Sequence, residues 1–323
     1  MRFGFGKITL AAAVAAGFLA STNAPVAAQE YPHSTVTLVT HSSPGGGTDV
    51  FLREMVGFLG KAMGPTFIVE NVKGGSGAKA MAKLASSPTD GSIFYGTTPT
   101  YINTSLLSKL DADYTSLEGV ANVFMDPQTV FVRADSPFQS ISDVVAASKA
   151  NPDSVLFGVT TPGSLDRQVM EKFKKMTGVT SRVITHDGGG DLLISVLNGT
   201  VSAAIGELQE LSPQIAAGEI RIITTYTAER LATLPDVPTA REQGIDMVVN
   251  KFRGIAGPRG VSDEIKAAWS TGIQKVLEDP DFKAWYSAQS LVPAFMPAAE
   301  YDQFLNDFAV DQKAFLIEYG IIK

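Results

Sequence analysis

The chain contains no cysteine, so neither disulfides nor thiolate chemistry is open to it and its core alone must hold it together. Histidine is almost as scarce. His33, His41 and His186 are too few and too scattered to suggest a metal site. The usual signatures of nucleotide and acyl chemistry are missing too. No glycine run ends in GK[ST], no GxGxxG precedes an acid twenty residues on, and no GxSxG elbow occurs. Basic charge is in deficit, with 26 Lys and Arg against 33 Asp and Glu, a formal net charge of −7. An acidic surface argues against a nucleic-acid partner, which needs a basic face. Beyond the N-terminus no apolar run is long enough to span a membrane, so the mature chain is expected to be soluble. No cofactor is expected.

The N-terminus itself reads as a leader. Arg2 and Lys7 precede an apolar run from Ile8 to Ala20, and Val26-Ala27-Ala28 places small residues where a signal peptidase cuts. Residues 1–28 contain no acid. Their removal takes away two positive charges, shifts the formal balance from −7 to −9, and leaves 295 of the 323 residues. That length suffices for two domains with ample cores. An export signal places the protein in the periplasm.

What is present in abundance is glycine and hydroxyl at strand ends. Thr35-Val36-Thr37-Leu38-Val39-Thr40 is β-branched and strand-like. Ser42-Ser43-Pro44-Gly45-Gly46-Gly47-Thr48-Asp49 follows, and Leu52, Val56, Leu59 and Met63 then recur on one helical face. In this strand–turn–helix unit, Thr48 is the expected N-cap, and the glycines leave backbone N–H groups open at the positive end of the helix dipole. An anion can be received there without a lysine. The plainer alternative is that the glycines only tighten the turn.

The device repeats. Val155 to Val159 reads as a strand, Thr160-Thr161-Pro162-Gly163-Ser164 as a turn, and Leu165, Val169 and Phe173 as the start of a helix capped by Ser164. Between the two units lie strands at Phe67–Asn71 and Ile93–Gly96, with a hydroxyl-rich loop Thr97-Thr98-Pro99-Thr100. After them come Val183–Thr185, then His186-Asp187-Gly188-Gly189-Gly190, a run Val201–Ile205 leading to Gly206-Glu207, and a last strand over Ile220–Thr225. This alternation predicts an α/β fold with a largely parallel sheet. Leu117–Arg133 reads as two apolar runs joined at Asp126-Pro127, a crossing into a second domain, with Val248–Phe252 as the return. The expected lobes are 29–124, 125–249 and a return segment 250–323 that closes on the first lobe. Ligands in such folds bind at the carboxyl ends of the strands, here in the cleft of a hinge-bending binder.

The segment after the last strand carries a resemblance. Thr227-Ala228-Glu229-Arg230, Leu234-Pro235-Asp236-Val237-Pro238-Thr239 and Glu242-Gln243-Gly244 resemble the hallmark of the extracytoplasmic solute receptors of tripartite tricarboxylate transporters, the Bug receptors. Ser43–Asp49 with Arg53, Val69-Glu70-Asn71 with Gly74–Gly77, Pro88–Gly91, and Phe252–Gly260 resemble further family blocks, so the likeness spans the whole mature chain. It implies a two-lobed, type II periplasmic binding-protein fold and a receptor that is not an enzyme. It also implies a small carboxylate ligand held largely by backbone N–H groups and water, and delivery to a permease of a large and a small subunit. Some members feed sensor kinases instead. The chain departs from the family at Thr185-His186-Asp187-Gly188, at Arg167, at Glu207 and at Phe252, positions that bear on ligand identity.

The site residues expected in the first lobe are Ser43, Gly46, Gly47, Thr48, Asp49, Thr98 and Thr100. Asp49 is read as stabilising its own helix, because a carboxylate repels an anion, and Thr98 and Thr100 serve equally well as ordinary caps. In the second lobe, Thr161, Gly163 and Ser164 supply donors. Arg167 either takes a carboxylate bidentately or pairs with Glu171. His186 is a donor or a satisfied, partly buried histidine, and Glu207 meets a ligand hydroxyl or amine or caps the next helix. Catalysis by His186-Asp187 or by Asp111 and Asp113 is not expected, and a monomer is the expected state.

Overall fold

In the computed structural model, residue 1 and residues 31–323 are described. Apart from Met1, the leader expected over 1–28 lies outside the described residues.

Alternation of short β-rich runs with amphipathic helices gives β1 (Thr35–Thr40), α1 (Gly47–Met63), β2 (Thr66–Asn71), α2 (Ala78–Ala85), β3 (Ile93–Thr97), α3 (Pro99–Leu107) and β4 (Leu117–Arg133). There follow α4 (Ile141–Ala150), β5 (Phe157–Val159), α5 (Leu165–Thr177), β6 (Val183–Thr185), α6 (Gly189–Leu197), β7 (Ala203–Glu207), α7 (Leu208–Ala216) and β8 (Ile220–Thr225). The chain closes with β9 (Asn250–Pro258), α8 (Asp263–Glu278), α9 (Pro280–Ala288), β10 (Val292–Pro297) and α10 (Ala298–Glu318).

The first lobe is built on the order β2-β1-β3-β9-β4, with β1 parallel to β2 and β3, and β9 antiparallel to β3 and β4. Strand alternation sorts its side chains to two faces. Val36, Leu38 and Phe94 join Leu52, Met55 and Leu59 of α1 and Trp269 of α8 on one face. Val39 and Tyr95 join Met81, Tyr101 and Tyr301 on the other. The second lobe orders β4-β7-β5-β6, with β8 also on β4, and covers its two faces with Val169 and Phe173 on one side and Leu192 and Leu211 on the other.

The two apolar runs expected at Leu117–Arg133 are a single strand of 17 residues. β4 pairs with β9 as far as Pro127 opposite Asn250, and with β7 from Gln128 opposite Glu207 onward. Pro127 lacks the N–H that a continuous ladder needs, and it stands where β4 changes partner. β4 is thus the strand shared between the lobes, with β9 paired beside it up to the switch point. β10, unforeseen in the sequence, is an edge strand on β4, where its Pro293 and Pro297 are tolerated.

Candidate functional site

The loops at the carboxyl ends of β1, β3, β5, β6 and β7 converge on one interlobe cleft. It is lined by His41, Ser42, Gly47 and Thr48, by Thr98 and Thr100, by Thr160 and Thr161, and by Asp187, Gly188, Gly189, Glu207, Glu210 and Lys251. Its volume is about 30 Å³, room for about two water molecules. Admitting anything larger needs a movement of the lobes.

Glycine permits this closeness. A Cβ on Gly188 would lie 2.5 Å from Ser43 N, and one on Gly190 would lie 2.3 Å from Pro44 O, so the β6–α6 loop interlocks with the β1–α1 loop across the cleft. The same pressure sets the start of α1. Its N-cap is Gly46, not Thr48, and no side chain caps it. A Cβ on Gly46 would meet Ser42 Oγ at 2.2 Å, and one on Gly47 would meet Arg253 Nη2 at 2.4 Å. Thr48 instead sits in the first turn, where its hydroxyl accepts from Arg253 Nη1 at 3.0 Å.

Beneath the lining runs a buried charge network. β9 carries Lys251 and Arg253, two residues apart and therefore on one face. Arg253 is fully buried and donates to Asp126 of β4, with Glu207 Oε2 at 3.2 Å from its Nη2. Lys251 donates to Glu207 and lies 3.5 Å from Asp166 Oδ1. Gln128 also donates to Glu207, and Gln209 donates to Asp126 at 2.6 Å. Burial would raise the Glu207 carboxyl, but Lys251 and Arg253 override it and hold it down at about 2. Burial raises Asp126 to about 6 in spite of Arg253. His41 is pushed down to about 3 by burial and by the two cations, so it is neutral at physiological pH. It shares a 2.5 Å hydrogen bond with Tyr95 OH.

One contact joins the lobes at the α1 terminus itself. Gly47 N donates to Glu210 Oε2 at 2.8 Å, and Glu207 N donates to Glu210 Oε1 at 3.2 Å. Burial, reinforced by Glu207, raises the Glu210 carboxyl well above the usual carboxylate range.

Of the residues singled out from sequence, Gly47, Thr48, Thr98, Thr100, Thr161 and Glu207 line the cleft. The Thr161 hydroxyl is buried without a hydrogen-bond partner among the described residues, and Thr98 also caps α3 through Thr100 N. Ser43 and Gly46 lie just behind, at the loop interlock. Asp49 accepts from Gly45 N at 2.9 Å and from Arg53 and Asn71, so it serves its own helix terminus. Ser164 caps α5 by accepting from Arg167 N at 3.1 Å, and Gly163 packs on Thr104.

The structure does not bring the ligand-anchor roles of Arg167 and His186 to the cleft. The Arg167 guanidinium pairs with Glu171, one helical turn on, at 2.5 Å. His186 is satisfied by Val159 O at 3.1 Å and Ser195 Oγ at 2.8 Å. Sequence reasoning missed Lys251, Arg253, Asp126 and Glu210. Two charges at a two-residue spacing in an apolar strand, and Glu210 three positions after Glu207, were the available signals.

Comparison with known proteins bears on the family and the fold. The sequence model of the family described as tripartite tricarboxylate transporter family receptor matches residues 51–321. A Cupriavidus necator protein named for the gbd 5' region is 26% identical over 317 residues, covering 97% of this chain and 96% of its own. The solved periplasmic binding protein BugD superposes with a TM-score of 0.85 at 22% identity, over 90% of this chain and 99% of that one. The R. palustris protein Rpa4515, solved with adipate, gives a TM-score of 0.85 at 25% identity over the same shares.

Proposed function

Because the chain belongs to the tripartite tricarboxylate transporter family of receptors, we propose that it captures a small carboxylate between its lobes and delivers it to a two-subunit membrane permease. Receptors of this family, and the structural neighbours, are solute-binding proteins and not enzymes. In this reading the chain works in the periplasm, reached through a cleaved leader over 1–28, and the lobes span 29–124 and 125–249 with a return over 250–323.

The observation that carries the reading is the α1 terminus, whose Gly47 amide already holds a carboxyl oxygen, that of Glu210, at 2.8 Å. A solute carboxylate satisfies the same donor by the same physics: an open amide at the positive end of a helix of 17 residues. Around it stand the hydroxyls of Ser42, Thr48, Thr98, Thr100, Thr160 and Thr161, which orient a polar ligand without a dense cluster of cations. Lys251 supplies positive charge at the cleft floor. A cleft of about 30 Å³ must open to admit such a solute, and the shared strand β4 with β9 beside it is where the lobes would swing.

Thermal unfolding of the mature chain against mono-, di- and tricarboxylates, with sugars and cationic amino acids as controls, tests the proposal. A ligand that binds only the folded form raises the midpoint with its saturation, so one carboxylate is expected to shift it and the controls are not. Shifts confined to the controls overturn the carboxylate reading. Growth on the solute identified, with and without the permease genes, tests delivery, and N-terminal sequencing of the exported chain tests the leader.

A further inference from the structure

We propose that Glu210 is a tethered stand-in for the solute: its carboxyl group occupies the donor at the α1 terminus, and a solute carboxylate binds by displacing it. The inference rests on the reading of the cleft as a carboxylate site and goes beyond it, since it makes a second-lobe side chain the competitor that sets affinity.

The contact is built into the fold on both sides. On the first lobe, α1 has no side-chain cap of its own, so the Gly47 amide would be unsatisfied in the closed state without a partner. On the second lobe, the Glu210 carboxyl fills a slot that only glycine leaves open. A Cβ on Gly189 would lie 1.9 Å from Glu210 Oε2, and one on Gly206 would lie 2.6 Å from Oε1. Neighbouring Glu207, whose Oε2 also comes close to Gly47, is held by Lys251, Arg253 and Gln128, and Glu210 is the carboxyl that accepts from the α1 terminus. The contact spans 163 residues of sequence and both lobes, so it closes the cleft in the way a bridging ligand would.

The competition is energetically lopsided in favour of release. Burial and the neighbouring Glu207 charge favour the neutral form of the Glu210 carboxyl, which is a weaker acceptor for the Gly47 amide than an ionised solute carboxylate. When the lobes part, Glu210 returns to water and gives up its hold on Gly47. A free carboxylate that keeps its remaining charge solvated, or pairs it with Lys251, then takes the amide. Solutes whose carboxylate cannot reach the α1 terminus gain nothing that offsets the loss of the Glu210 contact, so the device also filters ligands.

The test uses the full mature protein with sodium acetate and adipate as probes, read by the Gly47 amide signal in nitrogen–proton NMR. In Glu210→Ala, acetate is expected to titrate the Gly47 amide at a concentration at least tenfold lower than in wild type. An equal or higher concentration overturns the proposal. Circular dichroism checks folding of the variant. If Glu210→Ala fails to fold, Glu210→Asp keeps the carboxyl but withdraws it from the Gly47 amide by one methylene, and acetate is expected to bind it at least threefold more tightly. Weaker binding there would make Glu210 a donor to the solute and overturn displacement. In wild type, adipate binding must move the Gly47 amide and the Glu210 carboxyl carbon together, and an unmoved carboxyl carbon overturns the proposal while leaving the receptor reading intact. Failure of the receptor reading looks different: no carboxylate moves the wild-type midpoint, yet acetate still reaches Gly47 in Glu210→Ala.

Discussion

The two strand–turn–helix units that face each other across the cleft are alike in sequence and unlike in what they leave unspent. The α5 unit caps itself. Ser164 Oγ accepts from Arg167 N, and Asp166 in the first turn accepts from Thr160 and neighbours Lys251. The α1 unit begins on glycine with no side-chain cap, and its amide is satisfied from the opposite lobe. A helix that caps itself has little left for a ligand, whereas one that starts on two glycines exposes both its dipole and its N–H groups. The cleft is therefore asymmetric: the first lobe brings the uncapped helix terminus and most of the hydroxyls, and the second brings the acids Asp187, Glu207 and Glu210.

The charge network beneath the cleft holds this asymmetry in place, and removing its centre is the largest effect expected. Arg253 is buried among Asp126, Glu207 and Thr48. Arg253→Leu strands two acids, and losing one partner of a buried ion pair costs ~3–5 kcal/mol. Urea unfolding should register a loss of that size, partly recovered in the double variant with Asp126→Asn. A loss below ~1 kcal/mol, the range of exposed pairs, would mean that water reaches the network and that it does not fix the α1 terminus.

Much of the frame was legible in the sequence because it depends on periodicity. β1, β3 and the helical face of Leu52 and Leu59 follow from local patterns that tertiary packing reinforced. The site was less legible, because its geometry depends on close approach between segments far apart in the chain. Thr48 is a good N-cap by type, yet the helix begins at Gly47, since only glycine at 46 and 47 clears Ser42 and Arg253. Pro127 suggested a break in β4, but proline breaks a ladder only where its missing N–H is needed, and here the strand is changing partner. Glu210 was invisible as a site residue for the same reason: its partner Gly47 lies 163 residues away.

Smaller substitutions in the second lobe sharpen the comparison. Ser164→Ala removes the cap of α5, which should cost ~1 kcal/mol by urea unfolding and leave carboxylate affinity within about threefold, since that cap is spent on Arg167 N and not on the ligand. A tenfold loss of affinity without loss of stability would instead make the α5 terminus a second receiving end and remove the asymmetry.

Arg167→Ala probes the same terminus and should do least. Its guanidinium is partly exposed and paired with Glu171 at i, i+4, a class of contact worth ~0.3–0.5 kcal/mol. The side chain lies outside the cleft lining, so dicarboxylate binding measured by calorimetry should stay within about twofold of wild type. Arginine at the first turn of a cleft helix invites the opposite expectation, because a bidentate guanidinium is a good carboxylate partner. Glu171 is what decides between them. It holds the guanidinium one turn along α5, and swinging into the cleft would strand that acid, 27% exposed. A tenfold weakening in Arg167→Ala would show that the ligand outbids Glu171, and the second lobe would then contribute a charge of its own to binding.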